Sequence, residues 1–357
     1  MSIEHDNRTS AQHLARPTLI DVARAAGVSI ATVSYALNGR PGVGAETRRR
    51  VLELAAALGF RPNRLARGLR SGRAHVLGLL ISDVANPTYT EIASAVVNEA
   101  AAIGYHVFLS HEGVHGELKR QQAEALLDQR CAGLIFTSVV EGDRPLLARI
   151  RASGVPVVQV IRKIDGVGAD FIGTDEEAAG YRAAAHLLAL GHRCIAMAAG
   201  PRVSSASRLR AAGVRRALAA AGLAIPAPWY SEGDLNVESG YALCAQMLSQ
   251  GPPPTALVCG NDVMALGSMD AIIDAGLRIP GDVAVVGFDD MALASSRLIE
   301  LTTVRSPHAE IGRRAVQRLL ERIERPELPA REILLEEHLI VRRSSGGQRA
   351  AAQAAIG

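Results

Sequence analysis

One stretch near the N-terminus decides the fold of the first sixty residues, and it reads Thr18-Leu-Ile-Asp-Val-Ala-Arg-Ala-Ala-Gly-Val-Ser-Ile-Ala-Thr-Val-Ser-Tyr-Ala-Leu-Asn-Gly39. Apolar residues recur in it at helical spacing, and Gly27 interrupts them where a tight turn requires a positive φ. Ala23 is small where a second helix would cross, and Ser29 stands where a helix N-cap is needed. The spacing predicts a helix-turn-helix whose second helix runs from Ser29 to about Leu37.

The basic residues of the chain are concentrated in the same region. Residues 1–73 contain twelve Arg, no Lys and five acidic residues, whereas 27 basic and 31 acidic residues follow them. A small basic segment on a chain of net charge +3 is typical of a nucleic-acid-binding domain. A third helix, predicted from the apolar spacing of Val51, Leu54 and Ala55, completes an all-α headpiece over residues 17–60. Residues 1–16 are polar and aperiodic, and we expect a disordered arm there.

The second helix of a helix-turn-helix presents its first turn to the major groove of DNA. We therefore expect base contacts from Ile30, Ala31 and Tyr35. Hydroxyl and amide side chains nearby are candidates for contacts to the DNA backbone, namely Thr18, Thr32, Ser34 and Asn38. Ile30 and Ala31 offer only apolar contacts, so the operator sequence does not follow from them. Three-helix units also occur as protein-interaction modules, and the spacing alone leaves that alternative open.

Beyond residue 73 the pattern changes to short apolar strands that alternate with helices. Apolar residues make up 48% of the chain and aromatic residues only 3%, so the core must be built from Ala, Val, Leu and Ile. Strands are predicted at His75–Ile81, Tyr105–Ser110, Gly133–Thr137, Val155–Val160, Phe171–Gly173, Ile195–Ala199, Ala256–Cys259 and Val283–Val286. This alternation predicts parallel sheets covered by helices on both faces.

Two such α/β halves predict two doubly wound subdomains with a cleft between them. We expect an N-subdomain of about residues 74–173 and 304–332, and a C-subdomain of about residues 174–303 and 333–343. An Arg-rich linker over residues 61–73 would join this effector-binding domain, residues 74–343, to the headpiece. The tail, residues 344–357, is rich in Ala, Gly and Gln, and we expect it to be disordered.

Several classes of protein are disfavoured by missing motifs. The four cysteines are widely spaced, which indicates neither a zinc site nor a disulfide framework. No secretory signal and no run long enough for a membrane span are seen, so we expect a cytoplasmic, nucleoid-associated protein without a membrane partner. An NAD-dependent enzyme is the main alternative of another class. It is disfavoured because Ile81-Ser-Asp-Val-Ala-Asn-Pro follows the first strand instead of a GxGxxG motif.

His111-Glu-Gly-Val-His115 matches the HExxH pattern of zinc peptidases, which needs both histidines on one face of a helix. Here the pattern follows a predicted strand directly and contains a glycine, so a loop is the better prediction. We expect no metal, no cofactor and no enzymatic activity.

A family resemblance follows from several of these motifs taken together. Asp21-Val-Ala, Ala26-Gly-Val-Ser, Thr32-Val-Ser, Glu46-Thr-Arg48 and Gly59-Phe-Arg-Pro-Asn-Arg-Leu-Ala-Arg67 resemble the headpiece of LacI/GalR repressors, and the resemblance extends over nearly the whole chain. It implies a homodimer on double-stranded operator DNA. It also implies a hinge helix over Arg61–Arg70 that enters the minor groove, with contacts from Asn63, Arg64, Leu65, Arg67 and Leu69.

The resemblance further implies a periplasmic-binding-protein-like sensor domain whose cleft binds a small effector, a sugar or a sugar acid. The residues that it places in the cleft are Asn86, Thr88, Tyr89, Arg162, Ser204, Arg208, Leu235, Asn261 and Asp289. A nucleobase or nucleoside is the alternative effector class.

One departure from the family pattern concerns the ligand. Many members have an aspartate after the strand, as in Val-Asp-Arg, whereas this chain reads Val160-Ile161-Arg162-Lys163. Losing a carboxylate while keeping two adjacent cations favours an acidic ligand over a neutral sugar.

Overall fold

The computed structural model describes residues 17–37, 39–60, 75–111 and 116–346. The chain forms two compact units, Met1–Arg73 and Ala74–Gly357, which are described separately. The predicted arm, Asn38, the predicted hinge with its five minor-groove residues, and residues 347–357 of the predicted tail lie outside the described residues.

The first unit contains the three predicted helices, α1 (Leu19–Ala26), α2 (Ile30–Leu37) and α3 (Ala45–Ala57). Thr18 and Asp21 form a reciprocal capping box at the start of α1, and Gly27 ends the helix with a φ of 62°. The three helices share one small core, made of Val22, Ala23, Ala26, Val33, Ala36, Val51 and Ala55. The helix-turn-helix prediction is confirmed.

Among the described residues no single helix is long and apolar enough to cross a membrane, and only the pair α1 and α2, bent by 102°, passes a test of length and composition when taken together.

The second unit is built on two six-stranded sheets. Its strands are β1 (Val76–Ile81), β2 (His106–His111), β3 (Gly133–Phe136), β4 (Val157–Val160), β5 (Asp170–Thr174), β6 (Ile195–Ala199), β7 (Tyr230–Glu232), β8 (Ala256–Cys259), β9 (Ala284–Asp289), β10 (Thr302–Arg305), β11 (Glu332–Leu335) and β12 (His338–Ile340). Its helices are α4 (Pro87–Ala102), α5 (Gly116–Asp128), α6 (Arg144–Ala152), α7 (Glu176–Ala189), α8 (Ser205–Ala220), α9 (Val237–Leu248), α10 (Asp262–Asp274) and α11 (His308–Glu324).

Each sheet forms the centre of one subdomain. The strand order is β11-β5-β4-β3-β1-β2 in the N-subdomain and β12-β10-β9-β8-β6-β7 in the C-subdomain. All pairings are parallel except that of β12 with β10. Buried apolar clusters rich in Ala, Val, Leu and Ile cover both faces of each sheet, as doubly wound folds require. The predicted fold class is confirmed.

The structure corrects two of the predicted positions at which the chain crosses between the subdomains. β10 pairs with β9, so the chain stays in the C-subdomain through Arg305 rather than leaving it at residue 304. β11 pairs with β5, so the chain stays in the N-subdomain through Leu335 rather than leaving it at residue 333. Both strands are only four residues long, and their place is decided by pairing with distant strands rather than by a local pattern.

The tail prediction is wrong at its first three residues. A short 3-10 helix, Arg343–Ser345, continues the chain, and Gly346 ends it. Ser344 and Ser345 are buried. The hydroxyl of Ser344 accepts a hydrogen bond from Thr302 N (2.8 Å) and donates one to Val285 O (2.6 Å). These bonds hold a polar segment that composition alone marks as disordered.

Candidate functional site

A cavity lies where the carboxyl ends of strands from both sheets meet, the usual ligand position in open α/β sheets. Its lining side chains come from both subdomains: Asn86, Thr88, Tyr89, Ile161 and Arg162 on one side, and Ser204, Ala206, Ser207, Arg210, Leu235, Asn261 and Asp289 on the other. Eight of the nine predicted effector residues are among them. Arg208 is not.

Arg208 is replaced in the cavity by Arg210, two residues further along α8. Successive helical residues are about 100° apart, so these two side chains point in nearly opposite directions. Arg208 is exposed and its Nη1 donates to Arg202 O (3.2 Å), whereas Arg210 is buried. The sequence spacing could have predicted that Arg210 is buried. It lies four and seven residues before the apolar Val214 and Ala217, so it shares the buried face of α8 with them.

Arg210 engages all three of its guanidinium nitrogens with protein acceptors. Its Nε donates to Glu176 Oε2 (2.6 Å), its Nη1 to Gly260 O (2.8 Å) and its Nη2 to Asp289 Oδ1 (3.1 Å). The guanidinium carbon also lies 4.7 Å from the centre of the Phe288 ring. Burial alone would lower the pKa of Arg210, but the Glu176 and Asp289 carboxylates hold that pKa above its usual value. The group is therefore a fixed cation beside the cavity.

Close packing of α7 against α8 brings Glu176 to Arg210. A Cβ atom at Gly180 would overlap Arg210 O, and one at Gly213 would overlap Glu177 O. Only glycine permits the two helices to approach so closely. Two glycines that do not touch the cavity thus determine the position of its central ion pair.

Asp289 joins the two subdomains. Its Oδ1 accepts from Arg210, and its Oδ2 accepts from Thr88 Oγ1 of the N-subdomain (3.0 Å). Its φ of 103° is rare for any residue other than glycine, and such strain is common at functional sites. A second link joins Lys163 N to Ser205 Oγ (3.0 Å). With the subdomains held this way, the free volume among the lining residues is about 20 Å³, which is room for about one water molecule.

Asn261 offers a hydrogen-bond donor with no partner. Its Oδ1 accepts from Met264 N (2.8 Å) and caps α10, which leaves Nδ2 as the outward group. Nδ2 is buried, and no other described residue accepts a hydrogen bond from it. The neighbouring Asp262 accepts from Thr303 Oγ1 (2.6 Å) and Met291 N (2.9 Å), and burial raises its pKa well above its usual value. Asn261 therefore brings an amide donor without a protein acceptor to the lining of the cavity.

Arg162 enters the cavity from a tight turn at the end of β4. Ile161 has a φ of 64°, and Arg162 N donates to Val160 O (2.7 Å). The guanidinium donates from Nη1 to Ser138 Oγ (3.1 Å) and from Nη2 to Tyr89 OH (3.2 Å). Both partners are neutral hydroxyl groups.

The helix α2 of the first unit presents the predicted DNA-reading residues on its surface. Ile30 and Tyr35 are 45% and 44% exposed, and Ala31 is exposed between them in sequence. Thr32 N donates to Ser29 Oγ (3.1 Å), so the predicted N-cap is present. Thr18 is exposed, whereas Thr32 and Ser34 are partly buried. The Arg40 guanidinium lies 5.9 Å from the centre of the Tyr35 ring, which adds a cation beside the exposed tyrosine.

Of the zinc-peptidase pattern, the structure describes only His111. His111 ends β2 and α5 begins at Gly116, while residues 112–115 lie outside the described ranges. Within those ranges, no group of three or more His, Cys, Asp or Glu side chains could hold a metal ion.

Comparison with known proteins agrees with this geometry. Residues 18–63 match the family model of bacterial regulatory proteins of the lacI family. Residues 74–342 match that of periplasmic binding proteins and the sugar-binding domain of the LacI family. The ribose operon repressor of Escherichia coli K12 is 34% identical over 331 residues, covering 92% of this chain and 99% of the relative. The probable HTH-type transcriptional repressor ExuR of Bacillus subtilis is 32% identical over 330 residues, covering 92% and 98%.

Among solved structures, the lac repressor dimer bound to operator and the anti-inducer ONPF is similar with a TM-score of 0.83 and 34% identity, covering 92% of this chain and 99% of that one. The complex of the transcriptional regulator CelR with cellobiose is similar with a TM-score of 0.71 and 32% identity, covering 92% and 100%. The chain therefore belongs to the LacI family, and it is a DNA-binding transcriptional repressor with a sugar-binding domain rather than an enzyme.

Proposed function

We propose that the protein binds a pseudo-palindromic operator as a homodimer, at the nucleoid, and that a small polar metabolite in the cleft controls its operator affinity. The metabolite is a sugar or a sugar acid. The observation that carries this proposal is the cavity between the subdomains, which is lined by the buried Asn261 donor and by the Arg210–Asp289 pair. The neighbouring hydroxyl groups of a sugar both donate and accept hydrogen bonds, so they bind where donors and acceptors line one cavity.

On the DNA side, we assign base contacts to Ile30, Ala31 and Tyr35. Backbone contacts are assigned to Thr18, Thr32, Ser34 and Asn38, and minor-groove contacts to Asn63, Arg64, Leu65, Arg67 and Leu69. The exposure of Ile30, Ala31 and Tyr35 on α2 supports the first assignment, because the second helix of a helix-turn-helix must present its reading residues to the major groove.

On the effector side, we assign ligand contacts to Asn86, Thr88, Tyr89, Arg162, Ser204, Leu235, Asn261 and Asp289. Arg210 takes the place that the sequence resemblance suggested for Arg208. The free volume of about 20 Å³ is too small for a sugar, so the ligand enters only when the subdomains separate.

Control of DNA affinity follows from the contacts that join the subdomains. Thr88–Asp289 and Lys163–Ser205 join the two subdomains, and a ligand that separates the subdomains must break or lengthen these bonds. The resulting change in the angle between the subdomains would alter the spacing of the two hinge segments in a dimer. Whether the ligand releases or strengthens the repressor is set by which cleft geometry it favours.

The DNA-reading assignment is tested by Tyr35→Ala. The operator is first identified by genome-wide mapping of bound sites, and affinities are then measured by fluorescence anisotropy. We expect the substitution to weaken operator binding about 5- to 100-fold, because a base-reading side chain is lost, while salt-sensitive binding to unrelated DNA persists. Leu52→Ala, at an exposed position on α3, is the matched control and should bind as the wild type does. Equal operator affinity of Tyr35→Ala and wild type would refute the assignment.

A further inference from the structure

Arg162 is a cation of the cavity without an acidic partner. Within the described ranges, its guanidinium bonds only to the hydroxyls of Ser138 and Tyr89, and no carboxylate lies within salt-bridge distance of it. Partial burial of an unpaired charge is unfavourable, because the protein interior solvates ions poorly. The side chain is held in place by its two hydroxyl partners, with further N–H groups left for an acceptor.

Three carboxylates on segments that adjoin Arg162 or the cavity are already paired with other groups. Asp143 pairs with the buried Lys119 (2.6 Å). Glu332 pairs with Lys163 (2.9 Å). Asp289 has a partner on each of its oxygens, Arg210 and Thr88. None of these three acids is therefore free to neutralise Arg162.

The turn before Arg162 explains why the charge is unpaired. Ile161 occupies the left-handed region at a φ of 64°, which is a genuine outlier for a β-branched residue. Aspartate or asparagine is better tolerated there. The isoleucine side chain lines the cavity, so an apolar surface stands where a carboxylate would lie beside Arg162.

The cavity thus has two electrostatic poles. On the C-subdomain side, Arg210 lies between the Glu176 and Asp289 carboxylates, so these three side chains together carry one excess negative charge. On the N-subdomain side, Arg162 contributes one positive charge. A ligand that fits both poles presents hydroxyl groups to Asp289 and an anionic group to Arg162.

We propose that the cleft ligand is a sugar acid whose carboxylate binds to the guanidinium of Arg162 and whose hydroxyls bind between Asp289 and Asn261. A carboxylate fits better than a phosphate because one guanidinium balances one negative charge. This inference rests on the proposed function, since it names the class of effector for the same cleft.

The experiment is calorimetric titration of the full chain with acids and their neutral counterparts. The pairs are D-galacturonate with D-galactose, D-glucuronate with D-glucose, and D-gluconate with D-glucitol, and D-glucose 6-phosphate represents phosphates. We expect at least one acid to bind about 30-fold or more tightly than its neutral counterpart, the ratio typical of a lost partner in a buried charge pair. Equal or tighter binding of the neutral compound, preference for the phosphate, or failure of every acid to bind overturns the proposal.

Two variants test whether the preference for the acid over its neutral counterpart arises at Arg162. Arg162→Met removes the cation, and Ile161→Asp supplies the missing carboxylate at a φ that aspartate tolerates. Each should reduce affinity for the preferred acid about 30-fold or more while changing affinity for the neutral counterpart less than about 3-fold. Arg208→Met, an exposed arginine outside the cavity, is the control and should keep the wild-type preference. If both cavity variants retain the preference, the carboxylate does not bind at Arg162.

Failure of this inference is distinct from failure of the proposed function. A neutral sugar that binds tightly and shifts operator affinity would overturn the sugar-acid assignment and leave the repressor mechanism intact. A ligand that binds in the cleft without changing operator affinity would overturn the mechanism, whatever its charge.

Discussion

A buried guanidinium must use every N–H group, because its desolvation otherwise costs more than its ion pairs return. Arg210 comes close to this, with four hydrogen bonds to Glu176, Asp289 and the carbonyl of Gly260. The result is a rigid acceptor surface on Asp289 and a fixed charge pattern around the cavity. At the scale of single residues, the cleft is therefore prepared for polar ligands.

Glu337 shows the opposite situation, a buried carboxylate with too few partners. It lies in the third crossing between the subdomains, where Arg182 Nη1 donates to its Oε1 (3.1 Å) and its Oε2 has no partner among the described residues. Glu176 and Arg182 of α7 and Arg210 of α8 are the charged groups that act on it. Burial, together with repulsion from Glu176, raises the pKa of Glu337 to about 7.

This raised pKa predicts a pH-dependent stability. Between about pH 4.5, the usual pKa of a glutamate, and about pH 7, the folded state binds more protons at Glu337 than the unfolded state does. The free energy of unfolding therefore falls as pH rises through that window, by up to roughly 3 kcal/mol from this group.

Glu337→Gln keeps the acceptor for Arg182 and removes the titration. We expect the variant to gain several degrees in Tm relative to wild type at pH 8, with the difference shrinking as pH falls toward 4.5. Differential scanning calorimetry at several pH values measures it. A Tm difference that does not change with pH would show that Glu337 titrates normally.

At the scale of elements, the contact between α7 and α8 sets the geometry of the cleft. Gly213→Ala adds a methyl group against the backbone of Glu177 and Tyr181. Alanine is the better helix former by about 1 kcal/mol, but overpacking against rigid backbone costs about 1–3 kcal/mol or more. We expect a lower Tm and weaker ligand binding, since Arg210 moves with α8.

Gly142→Ala is the matched control for that substitution, because its new methyl group meets nothing within 4 Å. Tm and ligand affinity are measured for both variants. Unchanged values for Gly213→Ala would mean that the helix pair can separate without disturbing the cavity.

The elements also show what a sequence pattern can and cannot predict. Long apolar strands such as β1 and the amphipathic helices of the headpiece carry their periodicity locally, and they were predictable. The three-residue strand β7 and the four-residue β11 were not, because partners distant in sequence decide their pairing. Eight of the nine effector residues that the family resemblance suggested line the cavity, whereas choosing Arg210 instead of Arg208 required knowing which face of α8 is buried.

At the scale of the whole molecule, the proposed function needs a headpiece that reads DNA and a cleft that is held closed by contacts between the subdomains. Among the described residues the chain passes three times between those subdomains, after β5, after β10 and after β11. Connections of this kind allow the angle between the subdomains to change when a ligand enters the cleft. The proposed control of operator affinity requires this motion.

The most direct test of this central claim is operator affinity measured with and without the tightest cleft ligand, in wild type and in Asn261→Ser. Serine keeps the N-cap of α10 but removes the Nδ2 donor. We predict that the ligand changes wild-type operator affinity about 5- to 150-fold, the usual range of allosteric coupling, and that the variant needs a much higher ligand concentration for the same change. An operator affinity that is the same with the wild-type cleft empty and saturated would contradict the account.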